Sequence, residues 1–275
     1  MEGKNLILAI SLSALVLIMW SIFFAPPPPT IDKEQNKIEK TQKENDISSP
    51  SLDTTKKIKA VSRVESLKTT KRISVENESI SGSISLTGGI IDDIIFKNYN
   101  QNLNSEKKVV LLNPDGLDEG YYIETGWAST YKDVDLPNSK TEWSIVGNSK
   151  LTPNNPVTLK WTNNKQITFL KTIELDENFL FKINQQIKNN GNNNYDFYPY
   201  AQIVRNKKPK VLGYYILHEG FIGVFDEELK EEDYKDIEEK KFTANSSSGW
   251  LGITDKYWIT AIVPEKNKNF KSEFI

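Results

Sequence analysis

The chain has 275 residues, 37% of them apolar and 26% charged, with 35 basic residues set against 37 acidic ones for a net charge of −2. That balance suits a soluble globular body, excludes a polytopic membrane protein for these residues and gives no support for nucleic-acid binding. The absence of Cys excludes thiolate metal sites, disulfides and Cys nucleophiles, and a single His excludes a multi-His metal centre, so neither metal nor cofactor is expected.

Residues 1–25 read as a transmembrane anchor. Leu6 to Ala25 (LILAISLSALVLIMWSIFFA) is a run of 20 residues without a charge. At about 1.5 Å per residue a helix of that length spans roughly 30 Å, the thickness of a bilayer core. Trp20, Phe23 and Phe24 close the run where an aromatic belt is expected. The run is longer than a signal-peptide core, bulky Phe23 occupies a position where cleavage needs a small residue, and Pro26 would follow the scissile bond. An uncleaved anchor is therefore expected. Lys4 and the α-amino group before the span favour a cytoplasmic N-terminus, with the main body outside the cytoplasmic membrane.

Residues 26–70 read as a linker. Pro26 to Pro29 forms a stiff spacer that stops a helix leaving the membrane. From Thr30 to Thr70 the chain has no aromatic residue and mixes nine basic with seven acidic residues. Such a stretch cannot bury enough surface to offset its ordering entropy and is expected to be a disordered tether. A weak helical period through Ile58, Val61, Val64 and Leu67 is the sole support for a partner-binding arm.

From about residue 71 to 275 the period is 2. Ile80, Ile84 and Leu86 alternate with polar residues before Thr87-Gly88-Gly89 turns the chain, and the apolar run Ile90 to Phe96 follows. Val109 to Leu112 ends at Asn113-Pro114-Asp115-Gly116, a turn sequence. Val157, Leu159 and Trp161, then Ile167, Phe169, Ile173 and Leu175, then Phe179, Phe181, Ile183 and Ile187 alternate. Turns at Asn163-Asn164, Asp176-Glu177-Asn178 and Asn189-Asn190-Gly191 separate them, and Lys171 interrupts the middle segment. Half-buried strands joined by hairpins at this spacing predict a mainly β fold, a large antiparallel sandwich with few helices.

Chemistry is sparse. His218-Glu219-Gly220 is the one pair with acid–base potential, but neighbours on a strand point to opposite faces, and a structural role is preferred. The chain has no Gly-rich phosphate loop and no Gly-x-Ser-x-Gly. Trp250, Tyr257 and Trp258 read as hairpin core rather than a sugar-stacking platform. Asp226 to Glu239 carries nine acidic residues against two Lys and reads as a solvated surface segment, with a docking patch for a basic partner as the alternative.

Several segments together resemble the N-terminal half of the YidC membrane protein insertase family (YidC/Oxa) of Gram-negative bacteria. The most specific is Gly249 to Pro264, GWLGITDKYWITAIVP, in which Gly249, Trp250, Gly252, Thr254, Asp255, Lys256, Tyr257 and Trp258 match the family's signature. Tyr215 to Asp226, with His218, Glu219 and Gly220, and Tyr198 to Arg205 (YPYAQIVR) follow the family's order, as do the opening KNLILAI and Thr87-Gly88-Gly89. These residues are expected to be structural rather than catalytic.

The resemblance implies an anchor at 1–25, a variable tether at 26–70 and a periplasmic β-super-sandwich similar to galactose mutarotases at 71–275. It implies five further helices in the intact protein, so the chain is expected to be a piece of a longer one, ending within the domain's last strands. It also implies a non-enzymatic role in helping inner-membrane proteins insert and fold. The implied partners are the inner-membrane bilayer, nascent membrane proteins and the Sec translocon (SecDF and SecYEG). The competing reading is a membrane-anchored periplasmic carbohydrate-binding or mutarotase-like protein on the same sandwich.

Overall fold

The computed structural model describes residues 62–209 and 217–275, together with Met19. Apart from Met19, the expected anchor and the tether as far as residue 61 lie outside the described residues. Among the described residues no helix is long and apolar enough to cross a membrane.

The stretch 26–70 overlaps the described residues at 62–70, and there the chain forms a short helix, α1 (Arg63–Leu67). Ser62 caps it: the hydroxyl accepts from the Glu65 amide at 3.3 Å and donates to the Glu65 carboxylate at 3.0 Å. This Ser-x-x-Glu arrangement serves a helix start, where backbone amides lack intrahelical partners. Arg63 pairs with the carboxylate of Asp93, which fastens the helix to the sheet behind it.

Ten strands build the main sheet. They are β1 (Arg72–Glu76), β2 (Ile80–Ser85), β3 (Ile91–Asn100), β4 (Lys108–Leu112), β5 (Tyr121–Ala128), β6 (Ser144–Thr152), β7 (Asn155–Thr162), β8 (Ile167–Leu175), β9 (Phe181–Asn189) and β10 (Tyr198–Arg205). Their order is β10-β5-β3-β2-β1-β6-β7-β8-β9, with β4 also paired to β3. All neighbours are antiparallel except β1 and β6, which run parallel through Ser74 opposite Lys150 and Val75 opposite Leu151. The first strand thus sits in the middle of the sheet, between β2 and β6.

The alternation expected from the sequence sets the burial. Val157 and Leu159 on β7 and Ile167, Phe169 and Ile173 on β8 are fully buried, and the register places Val157 opposite Ile173 and Trp161 opposite Phe169. β9 follows as the third strand of that meander, paired along its whole length with β8. Phe179 is a departure: it lies before the strand, half exposed, with its ring edge-on to Phe96 at 5.6 Å. The reason is local. Asp176 accepts from the Asn178 and Leu180 amides, and Asn77 donates to the Asp176 and Asn178 carbonyls, so the loop extends past Phe179 before pairing begins.

The large sheet curls over on itself. Lys171 of β8 reaches the Thr125 carbonyl of β5, and Gln185 of β9 reaches the neighbouring Gly126 carbonyl at 2.7 Å. The enclosed space is filled by Ile73, Ile84, Ile91, Ile94, Trp127, Trp143 and Phe169 among others. Burying each of these apolar side chains contributes about 1.5–3 kcal/mol.

The remaining strands form a smaller body. They are β11 (Gly220–Phe225), β12 (Glu228–Glu232), β13 (Phe242–Ser246), β14 (Gly249–Thr254), β15 (Ile259–Ile262) and β16 (Phe270–Phe274), with the helix α2 (Tyr234–Glu239) between β12 and β13. A four-stranded sheet runs β12-β11-β14-β15, and β13 pairs with β16. Phe225, Ile237 and Phe274 make the core between them, with Phe221, Phe242 and Leu251 packed around it. The acidic segment Asp226 to Glu239, read from the sequence as a solvated surface segment, forms a hairpin turn, an edge strand and a short helix.

Candidate functional site

Two of the signature residues, Asp255 and Trp258, reach the seam between the two sheets, and the others shape the hairpin that carries them. Gly249 opens β14 with φ +126°, and a Cβ there would lie 1.8 Å from the Val224 carbonyl oxygen. Only glycine fits that conformation and that approach. Gly252 stands in the middle of the same strand, where a Cβ would lie 2.2 Å from the Thr260 carbonyl on β15. The turn into β15 is closed by the Asp255 amide donating to the Trp258 carbonyl at 2.8 Å, and the Thr254 hydroxyl donates to the Asp255 carbonyl at 3.0 Å. That geometry presents Asp255 and Trp258 to the large sheet and leaves Tyr257 exposed.

Asp255 accepts from Arg205 at 2.8 Å, at the end of β10. The Arg205 guanidinium lies over the Tyr121 ring at 4.6 Å and contacts the Tyr234 hydroxyl at 3.4 Å. Burial opposes the guanidinium charge, but the hydrogen bond and charge of Asp255 outweigh it and hold Arg205 more firmly protonated than usual. Burial also pushes the Tyr121 and Tyr234 hydroxyls up, so both stay neutral. Trp258 packs on Phe96 at 4.7 Å and Tyr99 at 4.9 Å, both from β3. Asp255 and Trp258 thus fasten the hairpin to β10 and β3, the two strands that flank β5 in the main sheet. Trp250 and Tyr257 do not join this packing. Lys256 lies over the Tyr257 ring at 4.8 Å.

His218 is occupied structurally. Its Nε2 lies 2.8 Å from the Phe221 carbonyl, which can only accept, so the Nε2 tautomer is the donor. Nδ1 faces Asp233 at 3.7 Å. Gly220 gives the ring its room, since a Cβ there would approach His218 Cε1 to 3.1 Å and the Glu232 carbonyl to 2.6 Å. The charge of Glu219 adds a little to the burial that pushes the Tyr234 hydroxyl up. The three residues shape the entry to β11.

Two polar clusters escaped the reading of the sequence. Lys171, noted there only as an interruption, is fully buried. Its Nζ donates to the Thr125 carbonyl at 2.8 Å and the Gly89 carbonyl at 3.2 Å and stands 5.0 Å from the Trp143 ring centre. Desolvation lowers its pKa to about 8, opposed by the charge of Glu124. Nearby, Glu124 accepts from the Tyr200 hydroxyl at 2.8 Å and the Gln202 amide at 2.9 Å. Gly126 lets the Tyr200 ring lie flat across β5, because a Cβ would meet that ring at 2.7 Å. The available signal was the inward position of Lys171 between Phe169 and Ile173. Among the described residues no group of three His, Asp or Glu side chains is placed to hold a metal ion.

Comparison with known proteins places this geometry in context. The family model of the YidC periplasmic domain matches residues 72–275. A membrane protein insertase YidC of Pelagibacter ubique is 50% identical over 277 residues, covering 100% of this chain and 49% of the relative. The protein of the same description from Rickettsia bellii is 38% identical over 273 residues, covering 98% of the chain and 48% of the relative. The one from Mesorhizobium japonicum is 32% identical over 295 residues, covering 99% and 49%. The chain spans about half the length of the curated relatives it matches.

Proposed function

The chain belongs to the YidC family, and from that premise we propose that it is the anchoring and periplasmic part of a membrane protein insertase. The intact protein helps inner-membrane proteins insert and fold, alone or together with the Sec translocon. The observation that carries this reading is the match across residues 72–275. It is supported by the seam, where Arg205 of the YPYAQIVR segment pairs with Asp255 of the GWLGITDKYW segment. The chain's role is non-enzymatic: His218, Asp255 and Trp258 act in packing, and the body carries partners rather than reacting groups. The N-terminus lies in the cytoplasm, the main body in the periplasm, and SecDF and SecYEG are the translocon partners.

The test compares residues 1–275 with a longer protein that carries them fused to the remaining half of a relative, each reconstituted in liposomes. Insertion of a small phage coat protein by the longer protein alone supports the reading. Insertion by residues 1–275 alone sinks it. Crosslinkers placed in Asp226–Glu239 report on the Sec partners.

A second reading, a carbohydrate-binding module on the same sandwich, draws on Glu124, Tyr200 and Gln202, three polar groups gathered beside an aromatic ring. A glycan-binding screen of the full chain separates the two, with Glu124→Ala as the control.

A further inference from the structure

The chain enters the large sheet through a network of four charged side chains. The register between β2 and β3 slips at Asp92: Ser83 stands opposite Asp93 and Ile84 opposite Ile91, which leaves Asp92 as the extra residue of a β-bulge. A bulge re-aims a side chain, and here it brings two consecutive carboxylates into one network. Asp92 and Asp93 are both buried. Arg72, the first residue of β1, pairs with Asp92 and donates through Nε to the Ser83 hydroxyl at 2.7 Å. The Ser83 hydroxyl donates in turn to Asp93, and Asp93 pairs with Arg63 of α1. The helix has little else to hold it. Five residues are too few for a helix to persist alone. Val64 is 61% exposed, neither Val64 nor Leu67 belongs to either apolar core, and Ser66 is the buried side chain. Glu65 is turned to Ser62. The position of α1 therefore rests chiefly on the pair between Arg63 and Asp93.

We propose that α1 is a latch on the large sheet that undocks when Asp92 takes up a proton. The charges give the direction. With both carboxylates ionised, Arg63 meets a group on the sheet (Arg72, Asp92 and Asp93) with one negative charge in excess. Protonation of Asp92 makes that group neutral. Arg72, left without its partner, then competes with Arg63 for Asp93 through Ser83. Asp92 is suited to the exchange. Burial pushes its carboxyl up to about 6, Arg72 opposes this, and the charges of Asp115 and Asp93 add to it. The charged groups that face it are thus Arg72 from β1, Asp93 beside it on β3 and Asp115 from the turn after β4. Thr70 and Ser83 offer their hydroxyls to Arg72. Between the ordinary 3.8 and the raised value, the folded domain binds a proton that the unfolded chain does not. Acid therefore strengthens the fold through this group while it loosens the helix, so what undocks is α1 and not the domain. The latch stands on the described residues alone. Its consequence rests on the membrane-anchored reading above: undocking adds residues 62–71 to the chain between Ala25 and the domain, about 35 Å of extra reach when extended.

The chain has no Cys, so a pair of cysteines can be introduced cleanly. The full chain in lipid nanodiscs carries nitroxides at Val64→Cys on α1 and Ser74→Cys on β1, both exposed positions. Double electron–electron resonance reads the distance between them. At about pH 8 one narrow distance is expected. At about pH 5 a second, broad population should appear, with the docked-to-undocked ratio lowered by about threefold or more. Asp92→Asn keeps the shape and removes the charge. It should show the broad population at the higher pH and no response to acid. Asp115→Asn removes a neighbouring charge, leaves Asp92 and Arg72 in place and should move the midpoint to lower pH. It decides the matter if Asp92→Asn does not fold. A single narrow distance across the whole range overturns the latch. So does a response that persists in Asp92→Asn, or a midpoint unmoved in Asp115→Asn, since another group then titrates. None of these failures touches the membrane anchor, because the distance lies within the domain. Separation of the chain from the nanodiscs overturns the anchored reading and the gain in reach, but not the latch.

Discussion

Arg205 and Asp255 are fifty residues apart and meet at 2.8 Å, joining the last strand of the large sheet to the turn of the small one. Both side chains are largely buried, so removing one partner strands the other. Asp255→Ala leaves the guanidinium against Tyr121 without its counter-charge and should lower unfolding stability by about 2–4 kcal/mol. Replacing both residues with apolar ones of similar size should cost less than the sum of the single changes. A double-mutant cycle by urea denaturation checks this, and additive single effects would show the pair to be uncoupled.

Two glycines with positive φ make a matched comparison. At Gly249 an added Cβ collides with the Val224 carbonyl, whereas at Gly147 (φ +85°) nothing lies within 4 Å. Gly147→Ala should therefore carry only the conformational penalty, about 1 kcal/mol. Gly249→Ala should cost about 3 kcal/mol or more and loosen β14 from β11. Hydrogen exchange at the β14 amides distinguishes local opening from global loss.

Lys171 predicts an inverted response to alkali. Its pKa is about 8 in the folded chain against the ordinary 10.5. Between those values the unfolded chain holds a proton that the folded one has released. The contribution of Lys171 to stability therefore rises with pH across that window, by up to about 1.4 kcal/mol per unit. Lys171→Met should flatten that portion of the curve. Denaturation midpoints at intervals from pH 7 to 10.5 read it directly, and an unchanged slope in the variant would assign the effect elsewhere.

The β11–β12 hairpin turns through Asp226 (φ 48°) and Glu227 (φ 74°), two left-handed residues in succession. Such a two-residue turn favours glycine at its second position. Asp226 has reason to stay, because its carboxylate accepts from the amides and hydroxyls of Ser247 and Ser248, which lowers its pKa. Glu227 has no such contacts among those of the turn. Glu227→Gly should raise stability by about 0.5–1 kcal/mol, measurable as a higher melting temperature.

The strands were legible where one face is buried and the other wet. Val157, Leu159, Ile167, Phe169 and Ile173 announced β7 and β8 because period-2 alternation is what a half-buried strand requires. The signature hairpin was legible as a motif, but the partners of its residues were not. Neither Asp255 nor Arg205 reveals its partner locally, since a pair separated by fifty residues exists only once the sheets meet. Lys171 failed for the opposite reason: a charge at an inward position looked like a break in the pattern, although the two carbonyls that receive it come from distant turns and strands. The outward face of the small sheet was hidden too: Ile222, Val224 and Ile259 look like core residues in sequence, and the register puts all three on the side away from Phe225 and Leu251.

The placement of β1 has a mechanical meaning. The strand lies between β2 and β6, with α1 fastened just upstream through Arg63 and Asp93. A pull arriving through the N-terminal side of Arg72 runs along the strand axis and loads the hydrogen bonds of both neighbours together, as in tearing cloth across its weave. A hairpin at a sheet edge would open one bond at a time. The point where the chain enters this domain is thus loaded in shear across two neighbouring strands rather than peeled from an edge.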